Sequence, residues 1–357
     1  MTALRFRGPV LPDGEARTLY VREGRITYER TPGADTEGEG WIVPGLVDAH
    51  CHLGLDDDGA ISEEETEAQA LQDRDAGALL IRDCGSAADT AWIHDRDDLP
   101  RLIRAGRHIG RTKRYIRNYA HEVEPEQLTD YVAQEARRGD GWVKLVGDWI
   151  SREEGDLAPS FPAEAFAAAI DTAHELGVRV TAHCFGEAVL PGLIEAGIDC
   201  IEHGTGLSQE LIDAMVEKRI SLVPTVMQID KFPEYVEAAG AKFPAYAAHM
   251  TDLHARQRGT IMAAYDAGVH LFAGSDGGGI SRHGNLAGEV IAMAGLGMPA
   301  EYALGAASWR AREWLGWNSG LDEGAPADFV VYDRDPREDL TVLQQPSRVV
   351  LRGRVVA

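Results

Sequence analysis

Two histidines one residue apart, His50 and His52, close the apolar run Val43-Pro44-Gly45-Leu46-Val47-Asp48-Ala49-His50-Cys51-His52. In an extended strand alternate side chains share a face, so both imidazoles project together from its carboxyl end. That spacing offers two ligands to one metal. Four other strand-like segments end in candidate ligands: Trp142-Val143-Lys144, Val180-Thr181-Ala182-His183, Cys200-Ile201-Glu202-His203 and Leu271-Phe272-Ala273-Gly274-Ser275-Asp276. His50, His52 and Asp276 can bind one divalent cation, and His183 with His203 a second. Neutral imidazoles with a carboxylate suit zinc. Lys144 as an ammonium would repel both cations, whereas its carbamate, formed with carbon dioxide, would bridge them as an anion. A snorkelling lysine at a strand end is the plain alternative.

Ligands carried on the ends of many parallel strands call for the mouth of a (β/α)8 barrel, an α/β fold. From Gly45 onward, short apolar runs alternate with amphipathic stretches, as repeated βα units require. Ser62 and Glu65 form a capping-box pattern that should start a helix. Further strands are expected at Ala78 to Asp83, within Gly110 to Asn118, and at Trp142 to Val146, Val178 to His183, Ile198 to His203, Ile220 to Pro224 and Val269 to Ser275. Phe166, Ile170, Ala173 and His174 mark an amphipathic helix that Pro162 opens and Gly177 closes. Residues 226–258 are too long for a simple loop, so an extra helix or lid near the mouth is expected. A further helix over 300–316 should pack on the barrel. The short strand candidates at the two chain ends could bury a core only together. The expected division is therefore a small composite β-sandwich from 1–43 and 320–357 around a barrel of 44–319.

The 357 residues are 44% hydrophobic, ample for a full barrel, and their formal net charge of −23 disfavours nucleic acid and anionic membranes as partners. No apolar run reaches the roughly 18 residues of a membrane span, and the first residues lack a signal peptide's apolar core, so a cytoplasmic location is expected. Cys51, Cys84, Cys184 and Cys200 form no CxxC pair and read as small buried residues. No GxSxG, HExxH or P-loop pattern occurs. The expected partner is a small-molecule substrate; a homo-oligomer stays open.

Taken together, Val43 to His52, Lys144, Thr181-Ala182-His183, Ile201-Glu202-His203-Gly204 and Gly274-Ser275-Asp276 resemble the amidohydrolase superfamily. The split terminal strands and Gly324-Ala325-Pro326-Ala327-Asp328-Phe329-Val330 extend the likeness over nearly the whole chain. Within it, the sequence is most similar to the branch of imidazolonepropionases and Xaa-Pro dipeptidases. The resemblance implies two divalent metals, a carboxylated Lys144, a metal-bridging hydroxide and Asp276 as proton shuttle. The implied reaction is hydrolysis of a C–N bond in an amide, peptide or lactam. The alternatives are a deaminase of a heterocycle, or an esterase or phosphotriesterase, on the same centre. A barrel without catalysis is disfavoured by the full set of ligand positions.

Around this centre the resemblance makes His121 a candidate carbonyl-orienting group, with Tyr119 beside it. The tyrosine that related dipeptidases carry shortly after the sixth-strand histidine is missing, since Gly204-Thr205-Gly206-Leu207 stands there. Arg282 and His283, in the loop after Asp276, are candidate substrate contacts. The arginines and lysine between Arg101 and Arg117 read mainly as a solvated face, and His94, His108, His174, His249, His254 and His270 as structural or surface residues.

Overall fold

The protein, seen in a computed structural model, is described over residues 3–357. Its fold is mixed α/β. Both chain ends meet in one eight-stranded sheet, where Phe329–Tyr332 runs antiparallel to Trp41–Pro44 with Phe329 opposite Pro44 and Tyr332 opposite Trp41. Leu4–Val10, Glu15–Arg22 and Arg25–Thr27 continue it on one side, Arg348–Leu351 and Arg354–Val355 on the other. The two chain ends thus share one hydrogen-bonded sheet, pairing edge to edge. Phe6 meets Phe329 edge-on at 4.9 Å within a separate apolar cluster that also holds Leu19, Ile26, Ile42 and Val350.

Between the ends lie two parallel arcs. One joins Leu46–Cys51, Ala78–Asp83 and Arg101–Arg104; the other runs through Ile109–Arg111, Trp142–Val146, Arg179–Cys184, Cys200–His203 and Ser221–Val223. Their residues are almost continuously buried, as expected for strands covered on both faces. The third strand differs from expectation. It is Arg101–Arg104, resumed at Ile109–Arg111, and the stretch to Asn118 is mostly turn. Its flanking arginines are neutralised in space, Arg101 by Asp328 at 2.7 Å and Arg104 by Asp140 at 2.9 Å. The eighth expected strand is an irregular segment rather than a ladder. Its backbone is satisfied from several neighbours: Phe272 N donates to Leu222 O at 3.0 Å, Ala273 N to Ala306 O at 3.1 Å, and Ala49 N to Ala273 O at 2.9 Å.

The helices follow local signals. Ser62 caps Glu63–Asp75, with Glu65 N donating to its hydroxyl and its own N–H donating back to Glu65. Ala163–Glu175 buries Phe166, Ala169, Ile170 and Ala173, spaced along one face, so Ile170→Ala should cost about 2–5 kcal/mol. The expected extra element is three helices, Val226–Ile229, Phe232–Ala239 and Pro244–Ala267. Two more, Ala300–Ala306 and Trp309–Trp314, pack below, with Trp314 stacked on Phe272 at 4.2 Å. Among the described residues, no helix is long and apolar enough to cross a membrane.

Candidate metal centre

His50 Nδ1 lies 2.7 Å from Glu202 Oε2, and His52 Nδ1 lies 2.8 Å from the Gly85 carbonyl oxygen. A carboxylate and a carbonyl only accept, so each Nδ1 donates its hydrogen and each neutral ring turns the Nε2 lone pair the other way. The two Nε2 atoms are 3.1 Å apart, and each is 3.1 Å from Asp276 Oδ1. Three acceptors this close, with no donor among them, repel one another unless a cation lies between them. The donor set and its tautomers therefore fit a metal.

A pair of candidate ligands stands beside this set of three. His183 Nδ1 and His203 Nε2 face each other at 2.9 Å, while His203 Nδ1 pairs with the Thr225 hydroxyl at 2.6 Å. Burial lowers both imidazoles, His203 to about 3, so both are neutral and able to ligate. Lys144 is 1% exposed, and its charge acts on His50, His52, His183 and His203. Among the described residues it forms no ion pair within 4.0 Å. A lysine buried amid these histidines without a counter-ion is costly as an ammonium.

The backbone turns these side chains toward one mouth. His203, Thr225 and Asp276 have φ of 67°, 45° and 51°, the left-handed region that non-glycine residues adopt at roughly 1–3 kcal/mol each. All three follow the carboxyl ends of parallel segments. The twist at His203 lets Glu202 stay in the interior while the next residue reaches the centre. Gly274 is required for a different reason: a Cβ there would sit 2.4 Å from the His50 Cβ. Beneath, Asp48 accepts from the Ser275 hydroxyl at 2.5 Å and from Ser275 N at 3.0 Å, tying the first strand to the segment that carries Asp276.

Sequence reasoning overlooked the interior support. Glu202 and Arg82 are both fully buried and bonded at 2.6 Å, and Thr181 also donates to Glu202. Arg82 donates through Nε to Ala49 O at 2.6 Å, and its guanidinium lies 4.6 Å from the Trp142 ring and 4.9 Å from Trp314. Burial would raise the Glu202 carboxyl, but Arg82 and His50 hold it well below its usual range. The available signal was an acid in Ile201-Glu202-His203 and a base in Leu80-Ile81-Arg82, each inside an otherwise apolar strand.

The centre opens into a cavity of about 560 Å³. Its walls are largely aromatic: Tyr115 and Tyr119 from the turn after Ile109–Arg111, Trp149 and Phe185 from the strand ends, and Tyr235, Phe243 and Tyr246 from the extra helical region. Tyr119 lines this cavity and donates its hydroxyl to Asp56 O at 2.7 Å. His121 does not line this cavity. Its Nε2 pairs with the buried Glu135 at 3.0 Å, because the short strand His121–Val123 lies on the far side of Ile109–Arg111 from Trp142–Val146. His283 is likewise elsewhere, buried behind Cys51 and bonded through Nδ1 to Asp73 at 2.8 Å. His108, read from the sequence among the structural or surface residues, is fully buried, its ring centroid 4.9 Å from that of His52 at a tilt of 31°, with both ring nitrogens without a partner among the described residues. Burial keeps it well below its ordinary value and therefore neutral.

The wider comparisons agree with this architecture. Residues 41–356 match the Amidohydrolase family. An uncharacterised protein of Mycobacterium tuberculosis is 56% identical over 353 residues, spanning 98% of this chain and 95% of its own. Ochratoxinase of Aspergillus niger is 25% identical over 363 residues, covering 86% of this chain and 73% of its own. Among solved structures, a Xaa-Pro dipeptidase with methionine bound in its active site superposes with a TM-score of 0.83 at 22% identity, covering 99% of both chains. The A. niger ochratoxinase structure superposes with 0.78 at 21% identity, covering 99% of this chain and 96% of the other. These structural likenesses speak to the fold, a barrel with an extra domain. Because the sequence match runs from Trp41 through every segment that carries a candidate ligand to residue 356, the chain belongs to the amidohydrolase family.

Proposed function

We propose that this protein is a binuclear metal-dependent hydrolase of a C–N bond in an amide, peptide or lactam. The convergence of three unprotonated acceptors, His50 Nε2, His52 Nε2 and Asp276 Oδ1, carries this reading. His50, His52 and Asp276 would hold one divalent ion and His183 with His203 the other, with carbamylated Lys144 between them; zinc suits the set. When bound, such ions lower the pKa of a water and polarise a carbonyl. Asp276, at the meeting of the ligands, would accept the attacking water's proton and return it to the leaving amine. Tyr119 lines the cavity, where it would help to position the substrate. Water would be excluded by the aromatic walls, which also favour an apolar or aromatic group beside the scissile bond. The two parallel arcs, joined through Arg104 to Ile109 and through the 269–277 segment, are read as one closed (β/α)8 barrel over 44–319.

The test is a screen of metal-replete protein against N-acyl amino acids, dipeptides and lactams, reading liberated amine. Turnover that is lost on chelation and restored by metal supports the proposal. Ammonia release from heterocycles, or turnover of esters or phosphotriesters alone, would move the assignment to a deaminase or an esterase.

A further inference from the structure

At the opposite end of the parallel strands from the metal centre lies a second crevice of about 400 Å³. Arg101 and Arg179, at the amino ends of their strands, and Arg352, from the turn after Arg348–Leu351 in the terminal sheet, converge on it. Trp317, His94 and Asp140 complete the part relevant here. On a chain of net charge −23, three guanidinium groups around one cavity are unusual.

Their acidic neighbours are already engaged. Asp140 is held by Arg104 at 2.9 Å and by His94 at 3.0 Å. Asp328 accepts from Arg101 Nε at 2.7 Å and from the Arg352 backbone N–H at 2.7 Å. Each arginine is anchored by part of its fork only. Arg179 Nη1 donates to Trp314 O at 3.1 Å while its guanidinium lies 4.2 Å from the Trp142 ring, and Arg352 Nη1 donates to Asp97 O and Leu99 O. The terminal nitrogens Arg101 Nη1 and Nη2, together with Arg179 Nη2 and Arg352 Nη2, make no hydrogen bond among the described residues. Burial and mutual repulsion lower Arg352, on which Arg101 acts; Arg179 is lowered by burial and by Arg82. Asp328, Asp97 and Asp98 act on Arg352, and Asp199 and Cys200 on Arg179, in the opposite sense, without cancelling that lowering.

We propose that this crevice is a binding site for a small dianion carrying phosphate or carboxylate groups. Guanidinium forks pair bidentately with both groups, and donors anchored through their other nitrogens lose little freedom on binding. The volume admits a small metabolite but no macromolecule. Trp317, over which Arg101 lies at 5.4 Å, provides an optical reporter on the cavity wall.

The experiment is calorimetric titration of the full chain with inorganic phosphate and, separately, succinate, at low and constant ionic strength. Saturable binding is expected for at least one probe, and the preferred probe identifies the head group. Arg179→Gln and Arg352→Gln should each weaken it about tenfold or more, as loss of one charge-assisted contact requires, whereas His50→Ala, at the metal centre, should leave it intact. Arg352→Lys, which keeps the charge and loses the fork, should also weaken it and guards against misfolding of the glutamine variants. Trp317→Phe should remove the accompanying change in tryptophan emission. Absence of saturable binding, or binding indifferent to all three arginine substitutions, would overturn the proposal.

Discussion

His50 Nδ1 stands 2.7 Å from Glu202 Oε2, with both side chains withdrawn from solvent. This contact links the proposed metal centre to a buried Glu202–Arg82 pair in the interior. Glu202 fixes the His50 tautomer and raises the ligand's basicity, the usual part of a carboxylate behind a metal-bound imidazole. Glu202→Gln should therefore weaken metal binding by about 10–100-fold in a competitive chelator titration. It should also destabilise the fold by roughly 3–5 kcal/mol, because Arg82 would lose its counter-charge in the interior. Unchanged metal affinity in a folded variant would separate Glu202 from the centre.

Asp276 carries two roles in the proposal, ligand and proton acceptor. Asp276→Asn keeps the shape and one coordinating oxygen but cannot take up a proton at that position. With metal restored, kcat should fall by about 10²–10⁴-fold, the usual contribution of a positioned acid–base group, with a smaller change in KM. Equal turnover by the variant would assign the proton transfer to another group.

Over the mouth, Tyr235 reaches in from Phe232–Ala239 and accepts a hydrogen bond from Gln228 Nε2 at 2.7 Å. Lys231 ties the same region to the loop after Asp276 by donating to Ser281 Oγ at 2.7 Å and Ile280 O at 3.1 Å. Truncating an aromatic wall should remove binding shared by ground and transition states. Tyr235→Ala is expected to raise KM about tenfold for an aromatic substrate with kcat little altered, since roughly 1.4 kcal/mol is within reach of one aromatic contact. A fall confined to kcat would instead make the residue part of the chemistry.

His249, on Pro244–Ala267, bonds Asp156 at 2.9 Å through Nδ1 and Glu187 at 2.8 Å through Nε2. Two carboxylate acceptors demand two N–H donors, hence the imidazolium. Burial alone would lower the imidazole, but hydrogen bonds to Asp156 and Glu187 outweigh it and raise the value above 6.5. A raised folded value means stabilisation that is complete below the unfolded histidine's value and lost as pH climbs through the folded one. His249→Ala should thus cost roughly 1 kcal/mol near pH 6, and less near pH 9, in parallel thermal melts. A cost independent of pH would show that packing, rather than charge, holds this helix.

Much of the proposed centre could be read from the chain because period-two strands end on its residues. His50 with His52, then His183, His203 and Asp276, stand at the ends of apolar runs, with Lys144 inside one, and the structure places His50 Nε2, His52 Nε2 and Asp276 Oδ1 within 3.1 Å of one another. Partners remote in sequence could not be read that way. Arg101-Leu102-Ile103-Arg104 has only two apolar residues, and the acids that neutralise its ends lie 227 and 36 residues away, so a buried strand resembled a solvated face. The same shift drew attention to His121, which pairs with Glu135 outside the cavity. Glu202 is 152 residues from His50, and nothing local marks it as that residue's partner. The lid was legible only as length, since which side chains of 226–258 face the mouth depends on how the helices settle.

The central measurement is metal content per chain, by elemental analysis of protein purified without chelator and of Lys144→Ala prepared alongside. Two divalent ions per chain are expected in the parent, with loss of at least one and of turnover in the variant. A gentle intact-mass measurement should show a labile carboxyl adduct only on the parent. A parent that binds no metal after reloading, or a Lys144→Ala variant that keeps two metals and full turnover, would contradict the bridged centre.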